Sequence, residues 1–274
     1  LLKIINKIAA PLINRLPENN RLERIWILAK TDFKKRYYET GLGLLWALIN
    51  PLMKLAVYTV AFIFIRASTI DHFSLYLFSG LLIWMFFTEL TSKGINALNS
   101  KKYLMTSIQF NWLDIFIAAS ISSFFGFLFN FLAYFLMSIL TSIFSNFDGL
   151  TSIHVLWFPL LAINITIIAA SFAILLGAIN IFLKDITHLW SIVILAGFWS
   201  APIFFPVEPI REKFAALLYI HPATSVIINM RNVLFYNTAP EMEFILWGWI
   251  YAFTLLPFSI YCFKKAMPYA IERM

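Results

Sequence analysis

A single cysteine, Cys262, occurs among the 274 residues, so one chain can build neither a disulfide framework nor a cysteine-based metal cluster. Charge is scarce too: Asp, Glu, Lys and Arg make up 13% of the residues against 61% hydrophobic ones, and the mean hydropathy is +0.80. A chain so poor in charge cannot hide its apolar side chains in one water-soluble core, which excludes an ordinary globular domain. The signatures of common enzymes are also missing. No G-x-x-x-x-G-K-[ST] loop is present to cradle a nucleotide, and neither H-E-x-x-H nor G-x-S-x-G occurs. His72, His154, His188 and His221 stand singly in or near loops and are expected as loop or interface histidines. The chain is therefore expected to hydrolyse no ATP and to hold no metal or cofactor. Nothing near its start resembles an apolar run followed by a small-residue cleavage site, so no signal peptide is expected.

What the chain does have is long apolar runs. About 20 such residues cross a bilayer core. Six segments qualify, near 44–65, 73–91, 113–143, 155–182, 187–205 and 244–263, and an all-α membrane protein of six transmembrane helices is expected. Basic residues then orient it, because cytoplasmic loops retain Lys and Arg. The N-terminal segment, the second and fourth connections and the tail hold sixteen, while Arg66, Arg211, Lys213 and Arg231 are the four on the other side. Both termini are expected in the cytoplasm, with residues 1–43 as an N-terminal segment and 264–274 as a tail.

Three connecting stretches carry more than topology. Leu22, Ile25, Trp26, Ala29, Phe33 and Tyr37 recur at helical spacing, so 22–38 is expected as an amphipathic helix lying on the membrane surface. Residues 93–112 are polar and could form a short cytoplasmic helix. Between 201 and 243, two short apolar pieces lie among Pro202, Pro206, Pro209 and Pro222, the pattern of a re-entrant hairpin on the outer side.

Lys34, Lys35 and Arg36 gather where the first span begins. They anchor a helix end to anionic headgroups, at roughly 1 kcal/mol each. The same cations, with Gly41 and Gly43 permitting close approach, also suit the phosphate of a lipid-linked substrate. Asn50 and Pro51 fall inside the first span, where proline removes a hydrogen bond and is expected to kink it. Lys54 is the deepest in-membrane charge and is expected to face a cavity or partner helix. Glu89 and Asp114 are expected as solvated helix ends. Aromatic residues reach 18%, more than two interfacial belts need. Trp46, Trp84, Trp157 and Trp247 suit belts, whereas Tyr58, Phe62, Phe198, Trp199, Phe204 and Phe205 cluster on spans one and five, where ring faces could stack on passing sugars.

The stretch DFKKRYYETGLGLLWALINPLMKLAVYTVAF (32–62) resembles the start of the ABC-2 type permeases that export bacterial polysaccharides. LKDITHLWSIVILAGFWSAPIFFPVEPI (183–210) is similar to that family's basic-Asp pair, fifth span and Ser-x-Pro-Ile ending, and LLYIHPATSVIINMRNVLF (217–235) to the helix before its last span. His221 replaces the family's usual Asn before proline, and Phe110-Asn111 its Phe-Pro. The resemblance implies a homodimer paired with two copies of a separate ATPase that holds ATP and magnesium. It would export a polyprenyl-diphosphate-linked O-antigen, teichoic acid or capsule across the bacterial plasma membrane. Lys34, Lys35, Arg36, Gly41 and Gly43 would meet the diphosphate. Trp46, Lys54, Tyr58, Phe62, Phe198, Trp199, Phe204 and Phe205 would line the channel. Trp26, Phe33, Asn99, Lys101, Lys102 and Tyr103 would rest on the ATPase. Two alternatives remain at this stage: an ABC-2 exporter of a drug or small lipid, and a membrane-embedded glycolipid transferase, for which no acidic metal-binding motif is visible.

Overall fold

Apolar run length and the placing of proline decide the architecture. The computed structural model describes residues 20–37, 41–66, 70–102, 111–145, 147 and 153–273; Tyr103, and the side chains of Tyr37 and Arg66, lie outside them. The described residues are all-helical. The helices are α1 (Arg21–Tyr37), α2 (Trp46–Arg66), α3 (Phe73–Ser100), α4 (Leu113–Ser145), α5 (Phe158–Phe182), α6 (Ile186–Ser200), α7 (Glu208–Ile220), α8 (Thr224–Leu234) and α9 (Met242–Arg273). A 3-10 turn at Gly43–Leu45 leads into α2, and its first residue has φ 51°, a left-handed backbone that glycine adopts without a Cβ clash.

The centre of the bundle is the pair α3 and α5. Their apolar stretches are 78% and 61% buried, against 17% for α2 and 22% for α9, so the last two present most of their surface outward. Small residues allow the central pair to cross closely: a Cβ added to Gly94 would lie 2.4 Å from Ala173 Cα. Polar side chains fix the register. Asn180 Nδ2 donates to the Ile95 carbonyl at 2.7 Å, and Trp190 Nε1 to Thr91 Oγ1 at 3.1 Å, which ties α6 to α3. Around this pair, α4 packs on α3, α9 along α5, and α8 against α3 and α9.

The expected spans need revision at several places. Among the described residues, five helices are long and apolar enough to cross a membrane by length and composition, and α6 is a shorter apolar one. The segment expected to cross at 187–205 forms the 15-residue α6, about 22 Å long at 1.5 Å per residue, and the chain leaves helical geometry from Ala201. Helix α2 runs on through Pro51 to Arg66. The polar stretch after residue 92 begins as the continuation of α3 to Ser100 rather than as a separate helix. Helix α9 passes through Pro257 and Pro268 to Arg273, so the expected tail is helical.

At the end of α3 remote from α1, the proline-rich connection folds into α7 and α8. Helix α8 is almost wholly buried. Arg231, a loop charge by sequence reasoning, is 2% exposed and pins this region. Its Nη1 donates to the Pro202 carbonyl at 2.7 Å and to Tyr76 Oη at 2.8 Å, and its Nη2 to the Ile203 carbonyl at 2.9 Å. The guanidinium carbon lies 3.8 Å from the Tyr76 ring centroid. Tyr76 in turn donates to the Phe205 carbonyl at 2.8 Å, so one buried cation secures the reversal after α6.

Candidate functional site

Helix α1 is amphipathic as its spacing requires, but its apolar face meets protein. Ile25 and Ala29 pack on Ala118 of α4. The rings of Trp26 and Phe33 lie 5.9 and 6.3 Å from that of Phe125, and Phe33 stacks on Phe129 at 6.0 Å. Ion pairs complete the docking. Asp114, expected as a solvated helix end, is fully buried: Arg21 donates to it at 2.8 and 2.9 Å and Arg24 at 3.4 Å. The carboxylate raises the pKa of Arg21 above its already high ordinary value, chiefly through the hydrogen bond. One turn apart on α1, Asp32 pairs with Lys101 and Arg36 with Glu89, two rungs that join α1 to α3.

The sequence cluster Lys34, Lys35 and Arg36 therefore fans out. Lys34 is exposed. Lys35 borders a pocket of about 240 Å³ with Asp32, Lys93 and Lys101. Arg36 alone of the three reaches a larger cavity, of about 970 Å³, bounded by α2, α3 and α6. Gly41 is exposed, with open space around it, and Gly43 shapes the entry to α2. Trp46 opens α2 and is 36% exposed. Asn99 and Lys102 are exposed at the end of α3.

The larger cavity is polar. Arg36, Lys54, Glu89 and Lys93 line it together with Asn50 and Ser92. Glu89 is bound by Arg36 and, at 2.8 Å, by Lys93, which also donates to Ser123 of α4 at 3.0 Å. A second cavity of about 430 Å³ continues it, sharing Lys54, Met85, Thr88, Ser191 and Ile194. Its walls turn aromatic, with Tyr58, Trp84 and Phe198. Behind them the rings interlock: Tyr58 lies 5.4 Å from Phe198, Phe62 stacks on Phe204 at 4.5 Å, and Trp199 on Phe204 at 5.3 Å. Phe204 is 2% exposed, so within one chain it supports this surface rather than facing the opening. Phe205 touches Phe62 at 6.1 Å at the edge of the cluster.

His221 joins the same wall from the α7–α8 turn, 5.3 Å from Trp84, with Nδ1 3.0 Å from Thr224 Oγ1. Burial pushes its pKa down to about 4, so the ring is neutral at ordinary pH. Sequence reasoning passed over Glu89, Lys93 and Asp114 as end or loop charges. Glu89 and Lys93 stand at i, i+4, a spacing that marks a pair, and Asp114 is reached only from a helix ninety residues earlier. Arg231 carried the warning of a lone cation in an apolar run. No group of three or more metal-ligating side chains occurs among the described residues.

The described residues thus form a bundle with a docked surface helix and a charged-to-aromatic column along α2 and α6. Residues 23–235 match the ABC-2 type transporter family. The chain belongs to that family. As an ABC-2 type transporter it is an integral membrane protein with a transport role rather than a catalytic one. It is similar to the O-antigen export system permease protein RfbA of Myxococcus xanthus, 24% identical over 218 residues that cover 79% of this chain and 82% of that one. Two proteins of the same description from Klebsiella pneumoniae are 25% and 26% identical, the first over 240 residues covering 87% of this chain and 90% of its own, the second over 221 residues covering 80% and 82%.

Proposed function

We propose that this ABC-2 type transporter is the transmembrane subunit of an ATP-driven exporter that moves a polyprenyl-diphosphate-linked polysaccharide, such as O-antigen, from the cytoplasm across the plasma membrane. The named activity of its relatives supports this reading, and the single observation that carries it is the column: a cationic cavity beside α1 that leads into an aromatic one. Cations suit a diphosphate and ring faces suit sugars, which stack without fixed hydrogen bonds. Both termini lie in the cytoplasm, and α6 with the turn after it makes the fifth of six crossings, ahead of the re-entrant α7–α8 hairpin. Energy comes from a separate ATPase that holds ATP and magnesium and bears on α1 and the connection after α3. With Trp26 and Phe33 turned to α4, the ATPase meets the opposite face of α1, where Ile27, Lys30 and Lys34 are exposed.

The pathway lies at a seam between two copies. Leu52, Met53, Val57, Ile192, Val193 and Leu195 are exposed on α2 and α6, beside a cavity whose charged lining is costly to leave facing lipid. Pairing these faces across a two-fold axis covers the apolar residues and encloses the polar ones. A deletion strain tests the function. Surface polysaccharide should vanish while lipid-linked polymer accumulates inside, and unchanged surface polymer would refute the proposal.

A further inference from the structure

Resting on the reading of the larger cavity as the path of a diphosphate-bearing substrate, we infer that Glu89 is the release element of that path, a resident carboxylate that competes with the substrate's phosphate for Arg36 and Lys93. Arg36 Nη1 and Lys93 Nζ both donate to one oxygen, Glu89 Oε1. An arriving phosphate oxygen is drawn to those same two cations, and it meets them already engaged by an oxygen of like charge. Lys54, by contrast, makes no ion pair among the described residues and lines both cavities, so it is available to both a held and a passing anion.

Burial explains why a carboxylate resides there. The Glu89 side chain is 18% exposed, and those of Arg36 and Lys93 are 33% and 32% exposed. Two half-buried cations facing each other without a counter-ion would repel and lose hydration, and one carboxylate between them relieves both costs. With Glu89 ionised, the three cations and one carboxylate of the lining leave a net charge of two plus, opposite to that of a diphosphate diester. Conduction demands a site attractive enough to fill and weak enough to empty. Three unopposed cations would fill readily and release slowly. Glu89 lowers that hold, and when the substrate leaves, the carboxylate takes back its donors.

The exchange also reaches α1. The Arg36–Glu89 pair is one of the two rungs joining α1 to α3, and Asp32–Lys101 is the other. A phosphate that draws Arg36 from Glu89 loosens the C-terminal rung and leaves the other, so occupancy of the path alters how the end of α1 is held.

The test uses the full chain, purified from membranes with its accompanying subunits and placed in lipid discs, titrated separately with farnesyl diphosphate and inorganic pyrophosphate. E89Q should bind farnesyl diphosphate about tenfold more tightly than the wild type and yet export more slowly in cells, whereas R36Q should bind about tenfold more weakly. A merely structural Glu89 would show weaker or unchanged binding in E89Q. That result, with R36Q still weakened, overturns the release role and leaves the path intact. If R36Q and K54Q both bind as the wild type does, the diphosphate path itself falls. Should E89Q fail to assemble, E89D, which draws the carboxylate back by one methylene, carries the same prediction of tighter binding and slower export. Tightening toward both probes assigns recognition to the diphosphate alone, and tightening toward farnesyl diphosphate only assigns it to a lipid-held diphosphate; tightening toward neither refutes the competition.

Discussion

Single buried polar residues set the most testable features of this protein. Arg231 donates through both Nη atoms to two carbonyls and a phenol and lies on a ring face, and no carboxylate pairs with it among the described residues. Lysine keeps the charge but cannot bridge two carbonyls and stack at once. R231K should therefore lower stability by about 2 kcal/mol, and R231L by more, since it strands the Pro202 and Ile203 carbonyls. Thermal unfolding of the purified protein checks both, and unchanged midpoints would rule out the clamp. His221 gives a pH signature. Its folded pKa, about 4, lies below the ordinary 6.5, so the neutral ring stabilises the fold fully above pH 6.5. That contribution is lost as pH falls from 6.5 toward 4, by up to about 1.4 kcal/mol per pH unit. The midpoint should fall across this window in the wild type and fall less in H221Q.

At the level of helices, close approach of α3 and α5 depends on Gly94 lying over Ala173. G94V places a branched side chain where even one methyl has no room, and should cost about 3 kcal/mol or abolish stable insertion. A chromatographic profile of the solubilised variant like that of the wild type would contradict this. Much of the helix map was legible in the sequence, because apolar runs at Phe73, Leu113 and Phe158 are long and uninterrupted. The amphipathic spacing of α1 was equally plain. What covers its apolar face was not, since Phe125 and Phe129 lie more than ninety residues away and spacing within α1 does not distinguish lipid from a neighbouring helix. The limits of α6 were hidden for a related reason: AlaPro-Ile-Phe-Phe after Ser200 is as apolar as a helix, but Pro202 and the Arg231 bonds to its carbonyl and that of Ile203 hold it in a bend. Three adjacent cations likewise read as one cluster along the chain, yet a helix turns successive residues by about 100° and sends Lys34, Lys35 and Arg36 to different surroundings.

For the whole molecule, outward-facing α2 and α6 frame a column that changes from charged to aromatic. One copy leaves that column open at the side. In the proposed dimer two copies would enclose it, and the exporter would then move a diphosphate past Arg36, Lys54 and Lys93 while its sugars slide over Tyr58, Trp84 and Phe198. Ser191, at the boundary shared by both cavities, is the position from which this is read most directly. A photo-crosslinking amino acid placed there in the assembled exporter, illuminated in cells making the polymer, should capture lipid-linked polysaccharide, and capture should depend on a working ATPase. Crosslinks to phospholipid alone, unchanged when the ATPase is inactivated, would contradict the account.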